Sequence, residues 1–185
     1  MPISEDPTLT ALESFLSKHP AIKYATPTSP NYASLRATYN LDNLSSPLAI
    51  VRPQNAEDVA AIVKYATSQG ISFVVRSGGG NLFGKSQVQG AITIDMRDIK
   101  FVEVEQHKTS ARVGGGILMG DLATALDKEG VATAVGTIPF VGYTGWAVYG
   151  GKKDISWPFS PKYPFLILRT YLKHILPLFR DHKAE

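Results

Sequence analysis

The chain has 185 residues, of which 44% are hydrophobic and 19% charged, enough apolar material for one globular domain and a composition unlike that of a disordered chain. It contains no cysteine, which excludes disulfide frameworks, thiolate metal sites and any cysteine-linked group. The net charge of +3 is uneven, with 12 basic and 13 acidic side chains in residues 1–151 against 7 and 3 in residues 152–185; such a balance does not point to nucleic acid.

The first residues lack the basic-then-apolar order of a secretory leader, and no apolar run approaches the roughly 18 residues that span a bilayer. A cytoplasmic protein without a membrane span is the expectation. Thr8 to Lys18 places Leu12, Phe15 and Leu16 on one face and predicts an amphipathic helix ended by His19-Pro20. Residues 21–47 hold three prolines among many polar residues and read as an extended wrapping segment. Residues 1–47 thus form an N-terminal extension.

Order is predicted to begin at Leu48. LAIV is a short strand ended by Pro53, and Asn55 is a fitting cap for a helix with Glu57 and Asp58 in its first turn. Val59, Ile62, Val63 and Ala66 recur at helical spacing until Gly70, and ISFVV follows as a buried strand. Strand, helix and strand predict a βαβ unit with parallel strands. AITID (91–95), FVEVE (101–105) and ARVGG (111–115) are short strands with brief links, predicted as antiparallel neighbours. Leu118, Leu122, Ala125 and Leu126 mark a second helix, stopped by Gly130. The fold class is α+β.

VVRSGGGNLFGKS, Val74 to Ser86, contains the G-x-x-x-x-G-K-S spacing of a triphosphate loop. Such a loop needs a helix directly after the lysine, whereas here QVQG and the strand AITID follow, so triphosphate binding is a minor alternative. The dinucleotide spacing G-x-G-x-x-G fails at Phe83. A strand, three glycines, Asn81 and a return strand remain. Successive amides in such a turn can converge on an anion. Arg76 either adds charge there or forms a structural ion pair, and a glycine-rich hairpin with no ligand stays open on this stretch alone.

VVRSGGGN, AITIDMRDI, ARVGGGILMGDLATAL and GTIPFVGYTGWAVYGG, in that order, resemble the flavin-binding half of the vanillyl-alcohol oxidase and p-cresol methylhydroxylase superfamily, in its berberine bridge enzyme-like and 6-hydroxynicotine oxidase-like branches. The resemblance covers about residues 48–151 and implies part of a PCMH-type FAD-binding domain and an FAD-linked oxidoreductase. It assigns Arg76, Ser77, Gly78, Gly79, Gly80 and Asn81 to the pyrophosphate loop. Val141, Gly142, Thr144 and Gly145 match a second flavin-contacting block. Many members attach flavin through a histidine at the position held here by Gly80, and others through a cysteine, so non-covalent FAD is implied.

No catalytic residue can be nominated. The implied substrate is a small organic molecule, such as a specialised metabolite, with oxygen as a possible acceptor. The histidines, His19, His107, His174 and His182, show no metal-ligand spacing. Trp146 and Tyr149 line either a flavin edge or the core. All 16 glycines lie between Gly70 and Gly151, and likeness to the family stops at the same point. Residues 152–185 are therefore expected to be a divergent tail, translated from an intron or a truncated reading frame. Phe165 to Phe179 offers a basic amphipathic helix as one option, against an improvised cover for exposed core. A non-catalytic fragment, with a protein partner covering the surface of a half-domain, is the alternative to an oxidoreductase.

Overall fold

The structure is a computed structural model that describes residues 6–148 and the strand Ile167–Thr170. Helix α1, Pro7–Ser17, starts where the Asp6 carboxylate accepts the Thr8 amide at 2.9 Å and Pro7 sets the first helical φ. The Leu12 and Leu16 face is buried against the main sheet. Residues 21–47 hold more regular structure than an extended segment. They include strand β1, Lys23–Ala25, and the short helix α2, Tyr32–Arg36.

Strand β2, Ala49–Arg52, leads to helix α3, Ala56–Ser68, where the Asn55 side chain accepts the Asp58 amide at 2.8 Å. Gly70, at φ +65, turns the chain into β3, Phe73–Arg76. Strand β4, Ile92–Asp95, is placed differently from the expectation. It lies between β2 and β3, parallel to both, in a four-stranded sheet ordered β1-β2-β4-β3 with only β1 antiparallel. All four β4 residues are buried, because Ile92 and Ile94 face the α1–α3 layer while Thr93 and Asp95 belong to the opposite face.

A 3-10 turn at Met96–Asp98 carries the chain out of this sheet. Strands β5, Val102–Val104, and β6, Ser110–Val113, form the expected antiparallel hairpin. Helix α4, Met119–Lys128, and the short helix α5, Tyr143–Val148, close a second core around Val113, Ile117, Leu122, Leu126 and Tyr143. Within the tail, strand β7, Ile167–Thr170, runs parallel to β6, so these four residues are extended rather than helical. The remaining statements about the tail fall outside the described residues, as do Tyr149, His174 and His182.

Among the described residues no helix is long and apolar enough to cross a membrane, and no cluster of histidine, aspartate or glutamate is arranged to hold a metal. His19 packs its ring on Phe15 at 4.4 Å and its Nδ1 lies 3.0 Å from the Phe15 carbonyl, while His107 is exposed in the β5–β6 link. Trp146 packs against the second core, 5.9 Å from Tyr143.

Candidate functional site

The two glycine-bearing blocks meet where β3 ends. A Cβ built on Gly78 would run into the amide nitrogen of Gly142, and one on Gly142 would run into Ser77 and the Gly78 nitrogen. No side chain larger than hydrogen fits at either position without moving backbone. The Ser77 hydroxyl donates to the Gly115 carbonyl at 2.9 Å, tying the same turn to the second core. On its other side, Gly142 forms a bridge with Leu118, flanked by Met119 N–H to Val141 O at 3.0 Å and Tyr143 N–H to Ile117 O at 2.9 Å.

Gly79 adopts φ +74, and its carbonyl accepts the Tyr39 amide at 3.2 Å. Gly80 faces a Val141 methyl across ordinary van der Waals distance, 3.6 Å from an added Cβ. Asn81 is exposed, and its side-chain oxygen accepts the amides of Phe83 (2.9 Å) and Lys85 (3.1 Å), which curls the chain after the glycines. Among the described residues, the five consecutive amides from Ser77 to Asn81 meet no internal acceptor. Among the described residues Thr144 Oγ1 is buried without a partner, and nothing lies within 4 Å of a Cβ added at Gly145. Unsatisfied donors in a glycine turn, with an orphaned hydroxyl two residues beyond the Gly142 that packs on it, suit a polar, anionic ligand.

Arg76 is placed apart from that surface. It is 1% exposed, and its guanidinium donates to Asp95 Oδ2 at 2.7 Å, to the Leu35 carbonyl at 2.7 Å and to Gln87 Oε1 at 3.4 Å. Asp95 is fully buried and also accepts from Arg97, with Nη2 at 2.6 Å and Nε at 2.9 Å. Burial alone would raise the Asp95 pKa. The hydrogen bonds from Arg97 and the charges of Arg76 and Arg97 outweigh it and hold the carboxyl below its usual range. Burial pulls Arg76 down from its ordinary value against the opposing pull of Asp95, and Arg97 is raised by its bonds to the same carboxylate. The trio joins the ends of β3 and β4 to α2 directly beneath the glycine turn.

The GKS element behaves otherwise than a triphosphate loop. Lys85 is exposed, Ser86 and Gln87 are buried in turns, and β4 follows with no helix between. Its magnesium-binding and helix-dipole geometry is missing from these described residues.

A family model described as an FAD binding domain matches residues 47–152, more than half of the chain. The chain belongs to this FAD-binding domain family. Among its relatives, the FAD-linked oxidoreductase aurO of Gibberella zeae is 39% identical over 127 residues, covering 69% of this chain and 25% of its own length. The (R)-6-hydroxynicotine oxidase of Paenarthrobacter nicotinovorans is 37% identical over 121 residues, covering 65% and 26%. The crystal structure of 6-hydroxy-D-nicotine oxidase from Arthrobacter nicotinovorans superposes with TM-score 0.63 at 32% identity, over 65% of this chain and 27% of that one. The BBE-like 1 protein of Physcomitrella patens gives TM-score 0.68 at 30% identity, over 74% and 30%. The chain thus spans about a quarter of the length of the curated relatives.

In this FAD-binding domain the structure brings Ser77 and Gly78 against Gly142, and Gly80 against Val141, while Gly79 lies against Arg76 and Thr38. Sequence reasoning missed Asp95, Gln87 and the Leu35 carbonyl as partners of Arg76, and the approach of Tyr39 and Gly115 to the turn. Asp95 alone carried a signal, being an acid at the end of an otherwise apolar strand. The others depend on contacts far apart in the chain.

Proposed function

We propose that this chain holds FAD without a covalent bond, its pyrophosphate on the amides of Ser77–Asn81 and its neighbouring part along Val141, Gly142, Thr144 and Gly145. The observation that carries the reading is the run of five amides that meet no acceptor among the described residues, beside a block whose glycine lies in backbone contact with Gly78. Arg76 serves as the buried support of this turn, since its charge is matched by Asp95. With Gly80 at the attachment position and no cysteine in the chain, nothing at those positions can form the tether, and hydrogen bonding and packing must hold the group.

When bound, the flavin supplies a hydride acceptor, and the class of reaction is oxidation of a small organic substrate. The turn's role is to fix the diphosphate, and the packed Gly78–Gly142 contact sets the spacing of the two blocks. No residue here is assigned to proton transfer.

A second reading rests on Leu82, Phe83, Ile138 and Phe140, which are exposed beside the turn, Phe83 to 87%. Such a surface suits a protein partner, and the chain would then bind that partner in place of flavin and turn over no substrate. Purified protein distinguishes the two. A yellow chain whose colour is released by acid supports non-covalent FAD. A colourless chain that takes up no added FAD overturns the flavin reading.

A further inference from the structure

Tyr39 and Phe140 stack on one another, ring centroids 5.3 Å apart at 20°, although they are far apart in the chain and are 57% and 48% exposed. Both are fixed to the glycine turn. The Tyr39 amide donates to the Gly79 carbonyl, and its neighbour Asn40 donates from Nδ2 to the Leu82 carbonyl at 3.0 Å. Asn43 reaches the Gly84 carbonyl at 3.4 Å. Residues 39–43 are thus strapped along residues 79–84. Phe140 directly precedes Val141, whose methyl lies against Gly80.

Two flat rings held half in water stand beside a row of amides that meet no acceptor among the described residues. Amides hold phosphate oxygens, and an exposed aromatic face stacks on a planar ring of any base. We propose that the Tyr39–Phe140 pair is the stacking wall for a planar heteroaromatic ring of the nucleotide whose phosphates sit on residues 77–81. This rests on the flavin-site reading and adds a residue pair that neither glycine block contains. Two ring sources share the chemistry, the adenine and the isoalloxazine, and fragments of FAD separate them.

The test titrates the full chain with FAD, FMN and ADP, following flavin fluorescence for the first two and calorimetry for ADP, in wild type, Tyr39→Leu, Phe140→Leu and Tyr39→Trp. Thermal melts of each variant report folding, and Tyr39→Trp keeps an aromatic face if a leucine variant misfolds. Both leucine variants are expected to weaken FAD about ten-fold or more, with Tyr39→Trp close to wild type. Parallel weakening of ADP identifies adenine on the wall, and of FMN the isoalloxazine. Folded leucine variants that bind FAD within two-fold of wild type overturn the wall and leave the amide turn standing. A wild-type chain that binds none of the three ligands overturns both.

Discussion

Asp95 is the residue on which the turn most depends, because two guanidinium groups converge on one fully buried carboxylate. Replacing it with asparagine leaves Arg76 buried and facing Arg97 without a countercharge. Removing one partner of a buried pair costs about 3–5 kcal/mol. Asp95→Asn is therefore expected to lower the urea midpoint clearly. The pH dependence follows from the sign of the shift. A carboxyl whose folded pKa is depressed adds stability above its unfolded value, near 3.8, and that stability fades as pH falls from there through the folded pKa. Urea midpoints measured from pH 6 downward should fall in wild type below about pH 4. The asparagine variant, starting lower, should lose this part of the slope. An equal acid slope in both proteins would show that Asp95 is not the group responsible. The sequence showed Arg76 beside the glycines and left two roles open. Only the fold, which lays Asp95 in register with Arg76 across β3 and β4, reveals where the charge is matched.

At the scale of elements, legibility follows the length and closeness of the signals. Helices α3 and α4 were readable because their apolar stripes run for three turns and glycines end them. β1 and α2, at three and five residues, are too short to show a period. β4 was readable as a strand and not in its pairing, since neighbours are chosen by which faces are buried. The fifteen residues between β3 and β4, 77–91, leave room for a crossover to parallel pairing, and the Met96–Asp98 turn diverts the chain away from the β5 hairpin. The unbroken burial of β4 is the mark of an interior parallel strand. The N-terminal helix belongs to this core: Leu12 is fully buried among Val51, Ile62 and Ile94. Leu12→Ala is expected to cost about 2–5 kcal/mol, read as a lower thermal midpoint. A change within about 0.5 kcal/mol would mean that α1 is a detachable appendage.

For the whole molecule, the candidate site lies between two cores that touch through Gly78 and Gly142 and through the Ser77–Gly115 hydrogen bond. A ligand held by both blocks binds the native chain and not the unfolded one, so it stabilises by mass action. At a concentration one hundred times its dissociation constant, this amounts to about 2.7 kcal/mol. Thermal midpoints of the full chain should therefore rise steadily with added FAD. Gly142→Ala forces its methyl against Ser77 and the Gly78 amide, and overpacking of that kind costs about 1–3 kcal/mol. Because the strain falls on the turn itself, the variant should lose most of the FAD-dependent rise as well as some basal stability. Gly90→Ala is the control for glycine replacement as such: its added Cβ would meet no atom within 4 Å, and its φ of +70 confines the penalty to local backbone strain. It should melt lower yet keep the full FAD-dependent rise. Equal rises in wild type and Gly142→Ala would separate the ligand from the junction of the two cores.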